Sequence, residues 1–215
     1  MKLINLKLLI LFIVITAFTP KTQGEWRFIK ETEGVKVYYR EREDSNIKDV
    51  KMQTTFNANL SSIVECLKDV NSYPKWVYKA KQSWVVTKYG DNDMIYYNYV
   101  DFPWPMQDRD VVVQSRISQD PTTRIVTSKS FSNWSLQPTK EDVVRIMEFN
   151  STWTLRPVEG GKVYGEYIFS SNPGGSIPAK IVNLGLAEGP LKTIKGFKML
   201  LQDAKYQNVK NGFKD

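Results

Sequence analysis

Three close pairs of carboxylates are the residues that could do acid–base chemistry: Glu41/Glu43, Asp91/Asp93 and Asp108/Asp110. Two carboxylates catalyse together when their surroundings separate their pKa values. All three pairs lie at predicted turns and strand edges, where carboxylates are normally exposed. The chain also has no histidine, which excludes histidine-based triads and the common zinc sites. We therefore predict no catalytic residue, no metal site and no cofactor.

Aromatic residues indicate a different chemistry, the binding of a hydrophobic molecule. The sequence has six tryptophans, eleven tyrosines and ten phenylalanines, and many lie on alternating stretches typical of β-strands. A site for such a ligand needs apolar and aromatic walls with a few polar groups that orient it. The alternation predicts two inward-facing sets: Val111, Val113 and Ser115, and Val163, Tyr167 and Phe169.

Arg145 lies in a third alternating stretch, on a predicted face with Val143, Met147, Phe149 and Trp153. A charge on an apolar face must be paired or lie near water. Two interpretations remain open. Arg145 either forms a structural ion pair with a neighbouring carboxylate, which we favour slightly, or it contacts the head group or carboxylate of a ligand.

The elements that would position these residues are strands, followed by one long helix near the C-terminus. The turn Asn172–Pro178 contains two glycines and two prolines, and Ile177–Lys205 then has helical periodicity over roughly 40 Å. Its apolar positions form one stripe: Ile181, Leu184, Ala187, Leu191, Ile194 and Leu201. Such a helix would bury its stripe on the concave face of a sheet. Gly189–Pro190 predicts a kink or restart, with Pro190 in a first turn.

Strand patterns fill most of the chain before this helix. The predicted strands are Val35–Arg40, Ile47–Phe56, Trp84–Tyr89, Met94–Val100, Asp110–Ser118, Arg124–Phe131, Val143–Leu155 and Val163–Phe169. A helix is predicted over Ser62–Val70, with Cys66 buried on its apolar side, and a short helix over Glu25–Glu31. The pattern indicates one α+β domain.

The first 24 residues are typical of a secretory signal peptide. A basic start precedes the apolar run Leu8–Phe18, which is shorter than the ~20 residues that span a bilayer. We predict cleavage near Gly24 and export, with an uncleaved N-terminal membrane anchor as the alternative. Cleavage would lower the formal net charge from +7 to +4. This modest charge, spread among acidic neighbours, argues against nucleic acid and is compatible with transient membrane-surface contact.

The order of these elements and several local motifs resemble the StAR-related lipid-transfer (START) domain of the helix-grip superfamily. The motifs are Trp26 with Gly34–Tyr38, Asp69–Trp76, Trp104–Pro105 with Arg109–Asp110, Pro138 with Val144–Arg145, Trp153 with Leu155 and Pro157, and Gly174–Asn183. The resemblance implies a curved antiparallel sheet wrapped around the long C-terminal helix, with short helices after the second or third strand. It also implies a domain over residues 25–208, a C-terminal tail over 209–215 and a tunnel for one hydrophobic molecule.

The resemblance further implies that some sterol- and phospholipid-carrying relatives place an acidic and a basic side chain inside the tunnel. Those positions fall near Tyr96 and Ser115 here, so the charged pair is absent. The candidate ligand-binding residues are Tyr96, Val113, Ser115, Arg145, Met147, Phe149, Tyr167, Leu184 and Leu191.

We therefore predict a monomeric, non-enzymatic protein that binds, and transfers, a lipid or another hydrophobic small molecule. The C-terminal helix or the Phe102–Arg109 loop is predicted to gate access. The alternative is a cyclase- or hydrolase-like enzyme of the same superfamily acting on a hydrophobic substrate, with Tyr96, Tyr99 or Arg145 as an acid or anchor.

Overall fold

Ten strands form one sheet in the computed structural model, which describes residues 24–207 and 209–215. The strands are β1 (Arg27–Thr32), β2 (Val35–Arg40), β3 (Asp49–Phe56), β4 (Ala80–Gly90), β5 (Asp93–Val100), β6 (Asp108–Gln119), β7 (Val126–Ser132), β8 (Val143–Arg145), β9 (Glu148–Val158) and β10 (Lys162–Asn172). The spatial order is β1-β2-β3-β10-β9-β7-β6-β5-β4, with antiparallel neighbours throughout. The short β8 pairs with β6 in parallel. The predicted signal peptide lies outside the described residues except for Gly24.

Two short helices follow β3: α1 (Leu60–Lys68) and α2 (Tyr73–Trp76). The Asn59 side chain caps α1 by accepting a hydrogen bond from the Ser62 amide at 2.8 Å. Cys66 is fully buried, as predicted. Burial, with the nearby Asp69 carboxylate as a further cause, raises the pKa of the Cys66 thiol to about 12, so this cysteine is inert at neutral pH.

The C-terminal helical region is interrupted. It comprises α3 (Ala179–Gly185) and α4 (Glu188–Leu200), and Pro190 lies in the first turn of α4, which confirms the predicted restart. The α4 part of the stripe is buried against the sheet, with Ile194 1% exposed. The α3 part is not, because Ile181 is 55% and Leu184 78% exposed. The stripe therefore holds α4 firmly and α3 weakly.

Two predicted elements were wrong. Glu25–Glu31 is not a helix, because Arg27–Thr32 pairs with β2 as a strand, and Glu33 and Gly34 make the tight turn with φ of 50° and 69°. The predicted strand Val143–Leu155 is broken at residues 146 and 147. Its first part pairs with β6, and its second part pairs with β7 and β10.

The concave face of the sheet packs against α1, α2 and α4 and forms the main core. Alternate residues of β6 confirm the predicted faces, since Val111 and Val113 belong to that core while Val112 belongs to a small cluster on the convex face.

Residues 209–215, which were predicted as a C-terminal tail, also contact the domain. The Ser61 hydroxyl donates to the Phe213 carbonyl at 2.9 Å, and the Leu60 amide donates to the Asp215 carboxylate at 2.8 Å.

Gly196 permits the close approach of α4 to α2. A Cβ atom at Gly196 would lie 2.6 Å from the Trp76 carbonyl oxygen, which is backbone and cannot rotate away. We expect Gly196→Ala to lower the free energy of unfolding by about 1–3 kcal/mol. The matched control is Gly185→Ala in α3, where a Cβ meets nothing within 4 Å, and which should be neutral or stabilising by up to about 1 kcal/mol. Urea unfolding measures both, and equal effects would contradict this account of the helix contact.

Candidate ligand-binding site

One half of the concave face is closely packed. Phe197 of α4 stacks on Trp76 with ring centroids 4.6 Å apart and meets Phe56 edge-on at 5.5 Å. Trp153 lies 6.0 Å from Phe197, and none of these four rings is more than 7% exposed. This half of the interior has side chains in contact across it and anchors the helix to the sheet.

The other half of the concave face is less completely filled. Its aromatic residues Tyr39, Phe149, Tyr167 and Phe169 share the face that packs on the helices, yet each is only half-buried. Phe169 lies 5.8 Å from Phe149 and 6.2 Å from Tyr167. The residues above them come from α3 and the start of α4, and these are half-buried as well: Ala179, Val182 and Leu191. An aromatic wall that faces inward and keeps accessible surface fits a ligand site.

A cleft of about 450 Å³ opens beside this half, between α3 and the start of β3. Its volume lies in the range of about 300–1,000 Å³ that small-molecule sites occupy. It is lined by Tyr39, Asn46, Lys48, Ala179, Lys180, Asn183 and Leu184. The Asn183 amide spans it, accepting from the Lys48 backbone N–H at 3.1 Å and donating to the Asn46 carbonyl at 2.8 Å. These two hydrogen bonds fasten α3 to the loop before β3.

Uncharged hydroxyl groups lie among the concave aromatic residues. The Ser130 hydroxyl donates to the Ser115 hydroxyl at 3.0 Å. Burial raises the pKa of Tyr167 to about 12, partly offset by the Ser151 side chain, and burial also raises the pKa of Tyr96. These phenols therefore stay neutral at physiological pH and can donate or accept hydrogen bonds, but they cannot act as general bases there.

Arg145 forms the structural ion pair that the sequence favoured. Its Nε donates to Asp110 Oδ1 at 2.6 Å and its Nη2 to Oδ2 at 3.0 Å, and the two side chains are 2% and 1% exposed. The remaining three N–H groups donate to the carbonyls of Trp134, Gln137 and Pro138. Asp110 shares the convex face of β6 with Val112. The break after β8 thus puts Arg145 on the face opposite Phe149 and Trp153, which corrects the predicted shared face and leaves its guanidinium no donor for a ligand.

The other predicted site residues fall into two groups. Tyr96, Val113 and Ser115 are buried on the concave face, while Phe149, Tyr167 and Leu191 lie half-buried around the open half. Met147 and Leu184 are exposed at the rim, at 56% and 78%. Sequence reasoning missed Tyr39, Ser130 and Ser151, although the alternation in Val35–Tyr39 and in Ser128–Ser132 carried a signal for two of them.

Each carboxylate of the pair at Asp108 and Asp110 has a structural partner. Asp108 accepts from the Phe102 amide at 2.8 Å and from the Tyr99 hydroxyl at 2.7 Å, and these hydrogen bonds lower its pKa. Asp110 accepts from Tyr97 as well as Arg145.

Over residues 24–207 and 209–215, no cluster of side chains has the composition of a metal site. Within the same ranges, no helix is both long and apolar enough to cross a membrane.

A second cleft, of about 460 Å³, lies on the convex face across β2, β3, β10 and β9. Both arginines that line it form ion pairs with carboxylates. Arg40 contacts Asp49 at 2.5 Å, and Arg42 contacts Glu148 at 2.6 Å. This cleft is polar and lies on the side of the sheet away from the helices, so it is no match for a hydrophobic ligand.

The sequence matches the START domain family over residues 20–206. A protein of Pseudomonas aeruginosa is 26% identical over 174 residues, covering 81% of this chain and 85% of the relative. The phosphatidylcholine transfer protein of Rattus norvegicus is 24% identical over 174 residues, covering 78% and 79%. The crystal structure of the STAR-related lipid transfer protein from Xanthomonas axonopodis superposes with a TM-score of 0.77 at 28% identity, over 83% of this chain and 99% of that one.

The match extends over almost the whole described chain, and the fold agrees with it. The ten-stranded sheet, the short helices after β3 and the C-terminal helical region reproduce the predicted helix-grip α+β architecture. The chain belongs to the START domain family.

Proposed function

We propose that this protein is an exported, monomeric carrier that binds one lipid or similar hydrophobic molecule between the open half of its sheet and α3. The observation that carries the proposal is the half-buried aromatic wall of Tyr39, Phe149, Tyr167 and Phe169 beneath a helix whose own apolar residues are not buried. Related proteins named for lipid transfer support it. The predicted signal peptide, residues 1–24, supports export.

The physical purpose of such a carrier is to keep hydrocarbon out of water. Exposing a methylene group costs about 0.8 kcal/mol, so a lipid with roughly thirty methylenes would cost about 24 kcal/mol to hold in water. An interior lined with aromatic rings removes most of that cost. Filling it would also bury the apolar surface that Phe169 and its neighbours leave accessible.

The rim beside the cleft suits contact with a membrane surface, where a carrier would collect its ligand. Four large apolar residues at this end of the sheet are exposed: Trp104 at 93%, Met147 at 56%, Ile181 at 55% and Leu184 at 78%. They lie on the β5–β6 loop, the β8–β9 junction and α3, which the sheet topology brings to one rim. The formal charge of +4 that remains after signal-peptide cleavage would favour an anionic surface.

Native mass spectrometry of the protein purified from its own host tests the proposal. We expect a bound lipid, and we expect the emptied protein to take lipid up from vesicles.

Phe169→Glu should abolish uptake, because it puts a charge into the aromatic wall without a partner. Ile168→Glu is the matched control, since Ile168 lies on the convex face of the same strand beside Arg40 and Arg42. Circular dichroism checks that both variants fold. A wild-type chain that stays empty and takes up no lipid would refute the carrier, and steady turnover of an ester or polyketide-like substrate would establish the enzyme alternative instead.

A further inference from the structure

The concave face carries almost no charge. On the strands β2, β3, β5, β6, β7, β9 and β10, Arg109 is the only charged residue at a position that faces the helices. Arg109 lies at the rim, where its guanidinium donates to the carbonyls of Gln107, Pro173 and Gly174 and stacks on Phe102 at 4.3 Å. Its donor groups face the Asn172–Pro178 turn rather than the aromatic wall.

Small hydroxyl side chains cross the floor of the same face. Ser115, Ser130 and Ser151 are direct neighbours on β6, β7 and β9, so they form a continuous row. Phe169 continues the row on β10, and Met94 closes it on β5. A serine side chain is short, so the row leaves more space beneath the aromatic residues than larger side chains would. Its hydroxyl groups can both donate and accept hydrogen bonds.

Two further serines add uncharged hydroxyl groups to this face. Ser128 is 4% exposed and lies between Ile117 and Trp153, and Ser171 is 9% exposed and lies beside Phe149. A hydroxyl group can both donate and accept, so these side chains can form hydrogen bonds with a polar atom of a ligand.

The lack of charge on this face decides which polar group of a ligand could lie against it. A phosphate or ammonium group that moved from water to these strands would lose its hydration and would meet no opposite charge on them. The affinity for a lipid with such a group would therefore be many-fold lower. An uncharged hydroxyl or carbonyl loses far less, and the serine hydroxyls and the neutral phenol of Tyr167 replace its hydrogen bonds to water.

We propose that the ligand is a lipid with an uncharged polar group, a hydroxyl or carbonyl, which hydrogen-bonds to the Ser115–Ser130–Ser151 row. This inference rests on the proposed function. It separates this chain from a carrier of zwitterionic phospholipids, despite the 24% identity to a phosphatidylcholine transfer protein. The apolar part of the ligand then lies along Phe149, Tyr167 and Phe169.

The test compares two lipids that differ only in the polar group. The full mature chain is incubated with vesicles that contain dioleoylglycerol and dioleoylphosphatidylcholine, and the lipids that leave with the protein are quantified. We expect at least a tenfold preference for dioleoylglycerol. Equal or preferred extraction of dioleoylphosphatidylcholine overturns the inference and leaves the carrier function intact. Extraction of neither lipid by a chain that also purifies empty overturns both.

Variants locate the polar group. Ser130→Ala and Ser151→Ala should each weaken dioleoylglycerol binding by about fivefold, the equivalent of one hydrogen bond. Binding of squalene, which has no polar group, should not change. Ser118→Ala is the matched control, because Ser118 is an exposed serine on the convex face of β6. An unchanged ratio of dioleoylglycerol to squalene binding in both variants would show that the polar group does not lie at the row.

Discussion

Replacing Arg145 with methionine is expected to lower the free energy of unfolding by about 3–5 kcal/mol, because it leaves the Asp110 carboxylate buried without its counter-charge. The same change also removes the hydrogen bonds that the guanidinium donates to the backbone carbonyls of Trp134, Gln137 and Pro138. Arg145 therefore stabilises both the β6–β8 pair and the loop before β8. Urea unfolding followed by tryptophan fluorescence measures the loss.

Two further variants make this result specific. Arg156→Met removes an exposed arginine on the convex side of β9 and should change the free energy of unfolding by less than about 0.5 kcal/mol. The double variant Arg145→Met/Asp110→Leu removes both charges, and it should regain part of the lost stability because no unpaired buried ion remains. A single variant as stable as the wild type, or a double variant no better than Arg145→Met, would contradict the assignment of a coupled ion pair.

The strands and their faces could be predicted because each signal is local. The alternation of Val111 and Val113 with Val112 depends only on the period of a strand, and Pro190 interrupts a helical pattern because proline is tolerated only in the first turn of a helix. The position of β1 could not be predicted in this way. All six of its residues are exposed, and the strand exists because β2 offers it an unpaired edge.

The candidate site was only partly predictable for the same reason. Val113, Phe149 and Tyr167 follow from alternation, whereas the face of Arg145 depends on the break at residues 146 and 147. That break reflects pairing of β8 with β6, a contact between segments about 35 positions apart, and no local pattern encodes it. The exposure of Leu184 could not be predicted either, because the apolar stripe continues through α3, although only the α4 part of the stripe is buried against the sheet.

Releasing α3 is expected to accelerate lipid exchange, since α3 closes the open half and is held there by few contacts. Asn183→Ala removes the two hydrogen bonds to Asn46 and Lys48 that fasten α3 to the loop before β3. At about 1 kcal/mol each, their loss should raise the population of an undocked α3 by roughly tenfold or more. The global free energy of unfolding should change little, because α4 keeps its buried contacts with Trp76 and Phe56.

Two measurements check this expectation independently. Stopped-flow transfer of a fluorescent lipid from vesicles should be about tenfold faster in Asn183→Ala, and hydrogen exchange of the α3 amides should rise by a similar factor, with or without lipid. Asn57→Ala is the matched control, because Asn57 is exposed in the turn after β3, at the opposite end of that strand from the cleft. Faster hydrogen exchange with unchanged lipid transfer would show that α3 moves but does not gate access, and the β5–β6 loop that carries Trp104 would then be the remaining candidate. Unchanged hydrogen exchange would show that the Asn183 bonds do not hold α3 closed.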